Sequence, residues 1–175
     1  MADAVVIPGR LFGPGAPLLM YTGDVARSRG AVVHRREWTE KPPEGLDDYD
    51  RWVRAQILPL PAGQPLLIGK SLGTHAAALA AERDLPAVWL TPLLWHPPVV
   101  AALARATAPF LLVGGGADPS WDGGAGRRLT PHVFEVPGAD HGMYVPGPVT
   151  ASIAVLAQVV GAMAEFLDEI GWPHR

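Results

Sequence analysis

Pro65-Leu66-Leu67-Ile68-Gly69-Lys70-Ser71-Leu72-Gly73, followed by the Ala-rich segment Ala76–Arg83, is the stretch on which the fold turns. The apolar run before Gly69 reads as a buried strand, and the Ala-rich segment reads as a helix. G-x-S-x-G stands at their junction. A serine there occupies a sharp, strained turn that holds its hydroxyl clear of the sheet. A side chain at 69 or 73 would collide as strand and helix close on each other. A helix opening at this point aims the Leu72 amide toward the place where an oxyanion would form. The bland alternative is a tight glycine turn carrying an idle serine.

Outward from this stretch the chain alternates short β-rich runs with helical patterns. The runs are Ala4–Ile7, Ala31–Trp38, Pro65–Gly69, Pro86–Thr91, Pro109–Gly114 and His132–Val136, each bounded by Pro or Gly or close to one. Most are continuously apolar, as strands covered on both faces must be. Leu46, Tyr49, Trp52, Val53 and Ile57 fall at helical spacing, and Pro59 stops that helix. Val149 to Ile170 is the longest helical pattern. Pro17–Arg29 could start as a strand, but too few residues would then remain for a crossover before Ala31. A helix with Pro17 in its first turn makes Ala4–Trp38 one βαβ unit, with Gly23 as its weak point. The expected fold is α/β: a three-layer sandwich with a mostly parallel sheet of about six strands and helices on both faces, in a single domain spanning 1–175.

Composition narrows the function. The 175 residues are 49% hydrophobic and 18% charged, which excludes a disordered chain. A net charge of −3 and a pI near 6.0 give neither nucleic acid nor an anionic membrane a basic partner. Without cysteine there is no disulfide, thiolate metal site or cysteine nucleophile. Neither G-x-G-x-x-G nor G-x-x-x-x-G-K-[ST] occurs, and no His/Asp/Glu cluster has metal-ligand spacing, so no cofactor and no metal are expected. Met1-Ala2-Asp3, with no basic region and no long apolar run behind it, leads to the expectation of no signal peptide. Val145–Ala164 is free of charged side chains, but its prolines and polar residues favour a buried helix over a membrane span. A cytoplasmic, soluble protein is the expectation.

A serine nucleophile needs a base and an acid to orient that base. Pro137-Gly138-Ala139-Asp140-His141-Gly142-Met143 follows the last strand, and Phe110–Gly114 runs through a glycine loop to Asp118. Loops at the carboxyl ends of parallel strands share one edge of the sheet, so Ser71, Asp118 and His141 can converge there. His141 is the expected base; His34, His75, His96, His132 and His174 read as packing, surface or tail residues, with His96 bordering the site. Asp118 is the favoured acid. Asp122, which could instead cap a short helix, and Asp140, which adjoins His141, are the alternatives. The second oxyanion amide is expected from Ile7–Gly13, at Arg10, against the bland reading of a glycine turn.

These residues resemble the α/β-hydrolase superfamily, and within it its small, lidless bacterial members. The resemblance rests on Pro8-Gly9-Arg10, Gly69-Lys70-Ser71-Leu72-Gly73, Gly116-Ala117-Asp118 and Asp140-His141-Gly142, and covers nearly the whole chain. Pro8-Gly9-Arg10 departs from the family's His-Gly-x. The resemblance implies loss of the two leading strands, no cap between Pro92 and Pro98, and a shallow, open pocket. It also implies hydrolysis through Ser71, His141 and Asp118. Leu11, Phe12, Leu93, Trp95, Trp121 and Met143 are expected to rim the pocket and suit a small-molecule ester with an apolar acyl or aryl group. Exposed aromatics there also suit a homodimer contact. A thioesterase, an acyltransferase and a non-catalytic binding protein are the rival readings.

Overall fold

The computed structural model describes residues 2–45 and 48–173. Leu46, counted above in a helical pattern, and His174 lie outside the described residues. Six strands form one parallel sheet: β1 (Asp3–Ile7), β2 (Val32–Arg35), β3 (Leu66–Lys70), β4 (Ala87–Leu90), β5 (Phe110–Gly115) and β6 (Val133–Val136). Their order is β2-β1-β3-β4-β5-β6. The chain leaves β1 in one direction to make β2, then crosses to the other side of β1 for β3. The carboxyl ends of β1 and β3 therefore flank a topological switch point, the place where open α/β sheets form their crevice.

The apolar runs alternate between two cores. Val6, Leu66, Ile68, Val88, Leu90, Leu111 and Val113 face one layer of helices, α1 (Pro17–Ser28) and α6 (Val149–Glu169). Val5, Ile7, Leu67, Trp89, Phe110 and Leu112 face the other, made of α2 (Tyr49–Ile57), α3 (Ala77–Arg83) and α4 (Pro97–Arg105). Burial on both faces is why the central strands show no polar alternation. A short helix α5 (Gly123–Leu129) precedes β6, and Asp122 caps it by accepting a 2.9 Å hydrogen bond from the Ala125 amide.

Three details depart from the sequence reading, and one expectation beside them holds. β2 ends at Arg35 rather than Trp38, because it is an edge strand and its polar residues leave the ladder for solvent. The Ala-rich helix is preceded by a 3-10 helix over Ser71–Ala76, so α3 itself starts at Ala77. Pro17–Ser28 is a helix, as expected, and buried Gly23 lets it approach the sheet: a Cβ there would lie 3.2 Å from Val6 and 3.1 Å from the Arg35 guanidinium. Lastly, α6 is not wholly buried. Ser152, Val155, Val159, Met163, Phe166 and Leu167 form its inner face, whereas Val149 and Ile153 are 67% and 58% exposed. By length and composition α6 is also apolar enough to cross a membrane. No cap domain interrupts β4 and α4; residues 91–96 join them directly.

Candidate active site

Ser71 sits where β3 ends, with φ 51°, the strained backbone of the elbow. The flanking glycines are required by contact. A Cβ on Gly69 would lie 2.7 Å from the Trp89 ring and 2.8 Å from the Gly73 carbonyl, and one on Gly73 would lie 2.7 Å from the Ile7 carbonyl. The elbow is thus wedged against the carboxyl end of β1. Thr74 fixes it from within, donating its hydroxyl to the Ser71 carbonyl at 2.6 Å.

The loops after β5 and β6 are laced together beside it. The Gly116 amide donates to Val136 O and the Ala117 amide to Ala139 O, both at 2.9 Å. A Cβ on Gly115 would overlap the Ala139 carbonyl, so only glycine lets the two loops approach this closely. The result brings three distant residues together. His141 Nε2 is 2.8 Å from Ser71 Oγ, and His141 Nδ1 is 2.8 Å from Asp118 Oδ2. The second Asp118 oxygen accepts from the Ser120 amide at 2.8 Å. The Asp118 side chain is fully buried, while that of His141 is 35% exposed. Burial would push the Asp118 carboxyl up, but its hydrogen bonds with His141 and Ser120 outweigh this and hold it below the ordinary carboxylate value.

The other two carboxylates have different tasks. Asp122 caps α5. Asp140 accepts from the amides of Gly142 and Tyr144 at 2.8 and 2.9 Å, which closes the tight turn that carries His141.

Arg10 lies in a turn closed by the Gly9 amide donating to Phe12 O at 3.1 Å. The Cβ position of Gly9 is 3.5 Å from Ser71 Cβ, so this turn borders the hydroxyl. Among the described residues, no backbone carbonyl accepts from the Leu72 or Arg10 amide. The Arg10 guanidinium donates to the Tyr49 hydroxyl.

A cavity of about 310 Å³ opens over Ser71, lined by Arg10, Leu11, Phe12, Tyr49, Leu72, Leu93, Trp95 and His141. Leu11 and Trp95, 90% and 51% exposed, stand on its rim. Two residues expected there lie elsewhere. Trp121 is folded back over β5, where a Cβ on Gly114 would overlap its ring; the missing side chain leaves a slot that the indole fills. Met143 is buried in the core between the sheet and α6 and lines a separate cavity of about 150 Å³. Its backbone there is left-handed, with φ 64°. Two residues near the elbow escape the sequence reading. Tyr49, read only as part of the helical pattern of α2, also lines this cavity. Lys70, which precedes the nucleophile, is fully buried.

The fold is that of the α/β hydrolases. Similar solved structures include a lidless α/β serine hydrolase from Xanthomonas campestris (16% identity, TM-score 0.66, covering 99% of this chain and 84% of the other). Est1E from Butyrivibrio proteoclasticus matches at 15% identity and TM-score 0.66, over 96% of this chain and 87% of the other. Dienelactone hydrolase from Anabaena variabilis matches at 18% identity and TM-score 0.65, over 97% and 86%. No family model and no curated protein sequence matches the chain.

Proposed function

We propose that the protein is a serine hydrolase, acting on a carboxylic ester with a small apolar acyl or aryl group. The observation that supports this most is the unbroken chain of contacts Ser71 Oγ to His141 to Asp118, each link 2.8 Å, opening on a cavity. In this reading Nδ1–H donates to Asp118, which leaves Nε2 as the acceptor facing the serine. Ser71 Oγ attacks the acyl carbonyl as its proton passes to His141 Nε2. Asp118, kept ionised by its hydrogen bonds, stabilises the imidazolium. The oxyanion lies between the amides of Leu72 and Arg10. His141 returns the proton to the leaving alcohol, and the acyl group stays on Ser71. Water then attacks the acyl carbonyl and gives a proton to His141, and the acid leaves as His141 returns that proton to Ser71 Oγ.

Leu11, Phe12, Leu93 and Trp95 give the cavity its apolar wall, which suits a small acyl or aryl group. The test is hydrolysis of a panel of short p-nitrophenyl esters by the parent and by Ser71→Ala. A loss of about 10⁴-fold in kcat is expected, because members of such a triad act as a unit. Equal rates for the two proteins would remove the proposal.

A further inference from the structure

Lys70 is a fully buried lysine directly before the nucleophile. Such a residue is costly to bury, and a buried charge is retained only where something holds it. Among the described residues the only lysine ion pair is that of Lys41 with Glu44, so Lys70 is not half of a salt bridge. Its Nζ donates instead to Thr91 Oγ1 at 3.1 Å and to the backbone carbonyl of His141 at 3.0 Å. It also stands over the Phe12 ring, 4.5 Å from the centroid. One ammonium therefore gathers the loop after β1, the end of β4 and the histidine loop onto the residue next to Ser71. Thr91 meets it from a strained backbone, φ 43°.

We propose that Lys70 is a positioning residue: its charged amine clamps the main chain of His141 to the nucleophile elbow and so sets the Ser71–His141 contact. This rests on the hydrolase reading above. The proton on Lys70 matters because three partners match the three donors of an ammonium. A neutral amine has one donor fewer and loses both the charge assistance of its hydrogen bonds and its attraction to the ring face. The charged and titratable groups around it are Asp118 from the loop after β5, and Asp140 and His141 from the loop after β6; Phe12 and Thr91 complete the shell. Burial lowers the lysine to about 8, and the two aspartates oppose that shift. The clamp therefore loosens as the pH rises through that value.

The test is kcat and KM on p-nitrophenyl butyrate between pH 6 and 10, with Lys70→Met and Thr91→Val beside the parent. Lys70→Met fills the same space without a donor. It should lower kcat by about 10²-fold, the order of loss caused by a misplacement near 1 Å, with KM changed by less than about threefold. The parent should show a fall in kcat as pH rises past about 8, and this limb should be missing from Lys70→Met. Thr91→Val removes one acceptor, makes the ammonium harder to keep, and should move the limb to lower pH. That shift keeps the proposal open to refutation even if Lys70→Met does not fold. A limb unmoved in Thr91→Val, or Lys70→Met with the parent's kcat and pH profile, would overturn the clamp while the parent's turnover left the hydrolase reading standing. A parent without turnover on any ester of the panel would remove both.

Discussion

Two histidine–carboxylate pairs stand at the elbow, one through His141, which reaches Ser71, and one through His75 in the 3-10 helix that Ser71 opens, and only the first is arranged for the chemistry proposed above. His141 and Asp118 meet at 2.8 Å; His75 and Asp50 meet at 2.5 Å, again through Nδ1. The pairs differ in what surrounds them. The His141 ring is partly exposed and its Nε2 reaches Ser71 Oγ. The His75 ring is fully buried, edge-on to Tyr49 and 5.1 Å from the His96 ring, and among the described residues its Nε2 has no hydrogen-bond partner. Burial is also distributed in opposite ways. Asp118 is sealed while its histidine faces the cavity; Asp50 is 37% exposed while its histidine is sealed. An oriented imidazole is thus not enough. It acts as a base only where its far nitrogen meets both a nucleophile and an open space.

The largest effect that tests this contrast is at the first pair. His141→Ala should reduce kcat on p-nitrophenyl esters by about 10⁴-fold, and Asp118→Asn by a comparable factor through the wrong tautomer. His75→Phe should leave kcat within about threefold, since His75 touches no reacting atom. Loss of turnover in a folded His75→Phe protein would break the comparison.

The next effect concerns stability. Lys70 has a lowered pKa in the fold, so the folded chain holds fewer protons than the unfolded chain between about 8 and the ordinary value of 10.5. The unfolding free energy should therefore rise over that interval, by as much as about 3 kcal/mol. The rise should vanish in Lys70→Met, read as parent-minus-variant differences from urea denaturation at several pH values. Asp118 acts at the other end. Its carboxyl is held low in the fold, so its contribution is present above the ordinary carboxylate pKa and is lost as the pH falls through the lowered value. Stability falling with pH in acid should thus be weaker in Asp118→Asn. The smallest effect belongs to the second pair: Asp50→Asn, at a partly exposed carboxylate, should cost about 1 kcal/mol and leave the rate unchanged.

Much of this arrangement could be read from the residues alone, because packing writes itself into spacing. Runs such as Leu66–Ile68 and Leu111–Val113 are continuously apolar because both faces of the sheet are covered, and Pro or Gly marks their ends. The elbow and the end of β5 carry glycines that close contacts demand. What stayed hidden is what depends on neighbours in space. The order of the strands leaves no local trace. β2 looked longer than it is because an edge strand ends where its ladder ends, not where its β-rich composition does. Trp121 and Met143 sit in loops of the right strands but pack into the core, one filling the slot over Gly114 and the other against the layer that holds α6. Lys70 carries no sequence mark that separates a buried lysine from a hydrated one; only the convergence of Thr91, Phe12 and the His141 carbonyl reveals it.

The most direct measurement is covalent. A fluorophosphonate probe should add once per chain, and peptide mapping by mass spectrometry should place the adduct on Ser71. The adduct should be absent from Ser71→Ala, formed far more slowly in His141→Ala, and formed at the parent's rate in His75→Phe. A folded parent that takes no adduct, or takes one on another serine, would contradict a nucleophile at the end of β3.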